Sequence, residues 1–134
     1  MKIIALSVLL ILASAWVEGQ NLIGYSQKDI VKYMKENRHE MNYNNVVNSL
    51  YSYLKYSDNS ENQTVLFFLT RDSVCKSVRI ICDISMKAEK INECNSLYTK
   101  RGENQWIEKR NGKVYLIELM EGKWSCIISI EKEK

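Results

Sequence analysis

The chain has 134 residues, with 19 Lys and Arg against 16 Asp and Glu, one His, four Cys and no Pro. That length makes one domain with one core and leaves no room for a second. A formal charge of +3 is far from the basic footprint of a nucleic-acid binder.

The first nineteen residues read as a secretory signal. Lys2 supplies a short positive start, Ile3 to Ala13 are apolar or small, and Val17-Glu18-Gly19 presents small residues to a signal peptidase. The apolar run is too short to span a bilayer. Cleavage before Gln20 is preferred to cleavage before Trp16, because it exposes a glutamine that can cyclise. Residues 20–134 then form a single mature domain whose charge is still +3. No other run approaches the ~20 apolar residues of a membrane span, and no lipid-accepting cysteine follows the cut. The expected address is therefore periplasmic or secreted, in a soluble form.

Ser26, followed by Asp29 three residues later, makes a capping-box-like start. Ile30, Tyr33 and Met34 recur at helical spacing, predicting an amphipathic helix from 27 to about 38. Lys28, Lys32 and Lys35 share its opposite face, a pattern expected of a solvated surface. From Val46, alternation of Leu50, Leu54 and Tyr56 with Tyr51, Tyr53 and Lys55 predicts a strand. Residues 57–62 are a polar loop, TVLFFLT (64–70) is a β-prone run, and Arg71-Asp72-Ser73 turns the chain into a strand from Val74 to Cys82.

The second half repeats this order. Ser85 is placed to cap a helix with Ala88, Ile91, Cys94 and Tyr98 on its apolar face. Gln105–Lys109 and Lys113–Leu119 flank Asn111-Gly112, the strongest short hairpin signal. Glu121-Gly122 turns into Lys123–Ile130, where Trp124, Cys126, Ile128 and Ile130 share one face. Two α-β-β-β units in tandem predict an α+β fold, an antiparallel sheet with both helices packed on one side.

An even cysteine count in an exported chain suggests up to two disulfides among Cys75, Cys82, Cys94 and Cys126, with three connectivities open. Cys75 and Cys82 fall on one predicted strand, roughly 23 Å apart at strand rise. A bridge needs Cα atoms within about 7 Å, so this pair is disfavoured. The alternative is buried free thiols acting as small apolar residues. Metal-ligand spacing is absent, and His39 lies far from every cysteine in sequence.

Catalytic motifs are also missing. There is no G-x-S-x-G, H-E-x-x-H, P-loop or G-x-G-x-x-G. His39, just past a helix end, fits a partner of the helix dipole better than a general base. Asp58, Glu61, Asp72, Asp83 and Glu103 fall in loops or at strand ends, as surface acids do. Asp58-x-Ser60-x-Asn62 alternates oxygen ligands, but Gln63 and Leu69 stand where a calcium loop needs Gly and Glu. Asn62-Gln63-Thr64 is a glycosylation sequon of meaning only in a eukaryote. No cofactor is implied. Tyr51 and Tyr53 are the candidate binding residues. They lie opposite the Leu50/Leu54 face, and exposed tyrosines offer contact area at small entropic cost. Their competing reading is that segment 39–47 covers them.

The block TVLFFLTRDSVCKSVRIICD, with GENQWIEKRNGKVYLIEL and WSCIISI, resembles small exported proteins of Bacteroides-type bacteria. The resemblance covers most of the mature chain, implies a bacterial envelope or extracellular setting, and carries no catalytic motif. Tandem α-β-β-β order is also similar to the β-lactamase-inhibitor-like and PepSY-like architectures, which implies a protein-binding or inhibitory module. The leading expectation is therefore an exported, non-enzymatic module that binds another envelope or extracellular protein. Its rivals are a small-ligand carrier or sensor with a pocket between sheet and helices, and an enzyme using loop carboxylates. Open sheet edges allow a monomer or an edge-paired dimer.

Overall fold

The structure is a computed structural model that describes residues 21–47 and 52–134, and the side chains of all of these except 45–47. The leader 1–19 and its cleavage point lie outside the described residues. So does Tyr51.

Helix α1 (Gln27–Asn37) begins where the sequence places it. The Ser26 hydroxyl accepts from the Asp29 backbone N–H at 3.2 Å, satisfying a donor that the first turn leaves open. Ile30 and Met34, four residues apart, form its buried stripe. Helix α2 (Lys87–Leu97) follows a 3-10 turn at Ile84–Met86. Here the expected start shifts. Asp83 caps the 3-10 turn, accepting from the Ser85 backbone N–H at 3.0 Å and from its hydroxyl at 2.6 Å, and α2 starts after Met86 with no side-chain cap, so Ser85 does not cap it. The α2 face shifts too: Lys90 and Cys94 are buried, Ile91 and Tyr98 are half-buried, and Ala88 is exposed. Lys90 lays its methylene stem on the core and keeps its Nζ 3.2 Å from Glu93.

Eight strands form one antiparallel sheet. They are β1 (Met41–Val47), β2 (Ser52–Asp58), β3 (Gln63–Leu69), β4 (Cys75–Asp83), β5 (Thr99–Gly102), β6 (Gln105–Arg110), β7 (Lys113–Glu121) and β8 (Ser125–Lys132). Their spatial order is β1-β2-β3-β4-β8-β7-β6-β5. The fold is α+β, and each half is α followed by four strands, one more than the sequence pattern suggested. The missed strands are the two edges. MNYNNVV of β1 is Asn-rich and TKRG of β5 is short and polar, compositions that suit an edge exposed to water but look like loops in sequence.

The two halves join at β4 and β8, where Ile80 faces Ile128, Ile81 faces Ile127 and Cys82 faces Cys126. Turn chemistry sets the rest. Asn111 and Gly112 take φ of 52° and 76° between Arg110 and its partner Lys113, the left-handed pair that a two-residue hairpin needs. A bulge lets both Cys75 and Val78 point inward: Phe68 faces Ser77 while Leu69 faces Cys75. Trp124 falls in the β7–β8 turn, 74% exposed, instead of on the buried face of the last strand. The turn closes at Gly122, whose N–H donates to the Ser125 carbonyl at 2.7 Å, so β8 starts one residue after the tryptophan.

Both helices lie on the same side of the sheet. Their buried side chains join Leu54, Tyr56, Val65, Phe67, Trp106, Ile117 and Ile130 in one continuous core. Trp106 ties β6 to α2 by donating its indole N–H to Asn95 Oδ1 at 2.9 Å. The residues before α1 are strapped across both halves. The Gly24 N–H donates to the Cys75 carbonyl at 2.9 Å, the Cys75 N–H donates to the Tyr25 carbonyl at 2.8 Å, and the Arg110 guanidinium donates to the carbonyls of Asn21 at 2.6 Å and Ile23 at 2.7 Å.

Phe67 and Phe68 are neighbours on opposite faces, so truncating them tests the strand's orientation. Phe67→Ala, in the closed core, is expected to lower unfolding free energy by about 3–5 kcal/mol. Phe68→Ala, half-buried on the open side, should cost about 1 kcal/mol. Urea titration followed by circular dichroism measures both, and equal losses would contradict the assigned faces.

Candidate functional site

The strand alternation that fills the core also dresses the opposite side. Tyr53, Leu66, Phe68, Ile81, Ile127, Leu116 and Met120 take the alternate positions of β2, β3, β4, β8 and β7, where neither α1 nor α2 covers them. Register places them in rows: Tyr53 faces Phe68, while Ile81 faces Ile127, which faces Met120. The Tyr53 ring sits 5.6 Å from Phe68, and the Arg79 guanidinium lies 5.7 Å over the same ring. Met120 is 45% exposed.

Charge on this face is divided. Lys55 and Arg79 stand on the β2–β4 side, and Glu118 and Glu131 on the β7–β8 side. Gln105 Nε2 donates to Glu118 at 3.1 Å, fixing that carboxylate. The open face therefore combines an apolar strip with Lys55 and Arg79 toward one edge and Glu118 and Glu131 toward the other, where Lys109 of β6 and Arg101 of β5 also stand. Such a contiguous uncovered strip is uncommon on a surface that meets only water.

Tyr53 is where the sequence predicts it, outward and opposite Leu54. Segment 39–47 does not lie over it: residues 41–47 extend the sheet as β1. Ile127 lies opposite Cys126, Ile128 and Ile130 as its strand pattern predicts, whereas Phe68, Arg79 and Ile81 escaped the sequence reading, although each sits at an alternate position of a recognised strand. Period-2 spacing finds them once the inward partners are fixed.

The other candidate residues serve local structure. Asp58 Oδ1 accepts from the Gln63 N–H at 3.2 Å and closes the β2–β3 loop. Hydrogen bonds from Ser85, first from its side chain and then from its backbone, hold the Asp83 carboxyl below the ordinary range. Glu61, Asp72 and Glu103 are exposed and separate. His39 follows α1 at the rim of a groove beside β1. Among the described residues no group of three or more His, Cys, Asp and Glu could hold a metal ion, and no helix is long and apolar enough to cross a membrane.

The expected disulfides are replaced by four buried free thiols. Cys75 and Cys82 share β4, Cys94 lies on α2, and Cys126 faces Cys82 across the β4–β8 ladder. Each fills the core as a small apolar side chain. Burial pushes the thiols of Cys75, Cys82 and Cys94 up to about 12. They are held neutral, the opposite of what an activated nucleophile requires. No family model, curated protein or solved structure matches this chain.

Neutral buried thiols make stability depend on alkaline pH. Below the ordinary value of 9.0 both folded and unfolded chains keep these protons. Above it the unfolded chain releases them and the folded chain does not, so stability falls from about pH 9 toward pH 12. The loss approaches about 1 kcal/mol per thiol and pH unit. Urea midpoints at pH 8 and pH 10.5 should differ accordingly, and Cys82→Ala should flatten the slope. Free thiols should also resist alkylation at pH 8 until denaturant is added, and labelling of the folded protein would contradict this burial.

Proposed function

We propose that the protein is an exported, non-enzymatic module that binds another protein on the open face of its sheet. The observation that carries this reading is the one-sided packing. Both helices sit against one face, while Tyr53, Leu66, Phe68, Ile81 and Ile127 are left on the other without a covering element among the described residues. Covering such a strip releases ordered water and favours association. The rings of Tyr53 and Phe68 and the guanidinium of Arg79 are the residue types that concentrate binding energy at interfaces.

The partner has a defined chemistry. It presents an apolar side chain to the Leu66–Ile127 strip, acidic groups toward Lys55 and Arg79, and a basic group toward Glu118 and Glu131. This complementarity fixes orientation more than it adds affinity. Support for the exported setting comes from residues 1–19, whose positive start, apolar run and small-residue end have the order of a signal.

The test is site-specific photo-cross-linking in the source cells. Probes at Leu66 and Ile127 should each give the same discrete adduct, and a probe at Lys32 on α1 should not. Charge reversal by Lys55→Glu with Arg79→Glu should weaken binding to the isolated partner at least about tenfold with little change in stability. Failure of the open-face probes to form an adduct, or equal labelling from Lys32, would remove this reading.

A further inference from the structure

On the helix side of the sheet, the last turn of α1 and the edge formed by β1 and β2 enclose a groove of about 350 Å³. Met34, Met41 and Tyr56 form its floor, and all three are buried. Tyr43 makes the outer wall. It is 46% exposed and its ring lies 5.2 Å from that of Tyr56. The groove is separate from the open sheet face and points away from it, because Tyr43 and Tyr56 are paired across the strands on the inward side.

Its rim is cationic. Lys35 and Arg38 line it, and Arg38 is the unusual member. The Arg38 side chain is only 10% exposed, although a guanidinium is costly to bury without a partner. Its Nε donates to Glu40 at 2.6 Å, and no hydrogen bond from its Nη atoms runs to another described residue. Glu40 is itself largely in water, with its side chain 57% exposed. Burial alone would push its carboxyl up, but the hydrogen bond from Arg38 and the charges of Arg38 and His39 hold it below the ordinary range. A carboxylate is therefore already recognised at the mouth of an apolar groove, where Arg38 and the Glu40 backbone N–H both hold it.

We infer that this groove is a binding site for a small amphipathic carboxylate, with its anionic head on Arg38 and Lys35 and its apolar body along Met34, Met41 and the Tyr43–Tyr56 pair. A body of about eight to ten carbon atoms fits the volume and leaves the head at the rim. Glu40 competes with the ligand for the guanidinium, so its carboxylate acts as an internal placeholder. This site does not depend on the open-face reading, since it lies on the other side of the sheet.

Titration of the folded protein with octanoate, followed by calorimetry and backbone NMR shifts, tests the proposal. Octanoate should bind one to one with a dissociation constant on the order of 10–100 µM. Shifts should be confined to α1, β1 and β2. Neutral octanamide should bind about tenfold more weakly, and Arg38→Gln should weaken octanoate by about tenfold or more. Glu40→Gln should tighten it several-fold, a gain that a nonspecific apolar sink would not show. Three outcomes overturn the proposal: no saturable binding at millimolar octanoate, equal affinity for octanamide, or no gain in Glu40→Gln. If Arg38→Gln does not fold, the Glu40→Gln titration decides alone.

Discussion

The pairing of β4 with β8 is the constraint on which the rest of the molecule rests. Among the described strands it is the only place where the two halves pair, through seven residue pairs from Ser77–Glu131 to Asp83–Ser125. Because side chains alternate along a strand, fixing that ladder fixes which residues of each half face the helices. A slip of one residue would turn Ile80 and Cys82 to the side opposite Ile128 and Ile130, and bring Arg79 onto the core side of β8. The apolar sets of both strands prohibit that slip.

From this ladder follows the division of the molecule into two chemically different sides. One side is closed by α1, α2 and the strap before α1, and its polar groups are mostly paired. Asn95 meets Trp106, Arg110 meets two backbone carbonyls, and Lys90 meets Glu93. The amide nitrogen of Gln63 is the exception, buried without a partner. The other side has no second layer among the described residues. Its half-exposed Phe68, Leu66, Ile81 and Ile127 are retained at positions where Thr, Lys or Ser would serve a purely solvated sheet.

How much of this was legible in the sequence depended on the strength of local signals. Helix α1, the Asn111-Gly112 hairpin and the TVLFFL strand were readable because cap, turn and alternation agreed with the final packing. The edge strands were not, since pairing on one side only lets Asn42, Asn44, Lys100 and Arg101 occupy β positions that propensity disfavours. Helix α2 was placed correctly but rotated, because a buried Lys90 is invisible to a pattern that sorts lysine outward. The open face was half legible: Tyr53 emerged from its strand, but Phe68 and Arg79 needed the register between strands. The groove under α1 could not be read, because residues 34 to 43 and 56 come together only through the unrecognised strand β1. The cysteines were misjudged for a different reason. An even count says nothing of direction, and all four side chains point into a core able to hold them as thiols.

The strap before α1 bears on the order in which the chain becomes native. Arg110 holds the carbonyls of Asn21 and Ile23, partners separated by 89 and 87 positions. In synthesis from the N-terminus, Gly24 and Tyr25 can meet Cys75 once β4 is made, yet the seat of Asn21 and Ile23 does not exist until β6 has been made and docked. Closing so long a loop is entropically slow. The beginning of the domain is thus among the last parts to settle, and whatever precedes residue 21 stays joined to a segment not yet fastened while the remainder of the chain is still arriving.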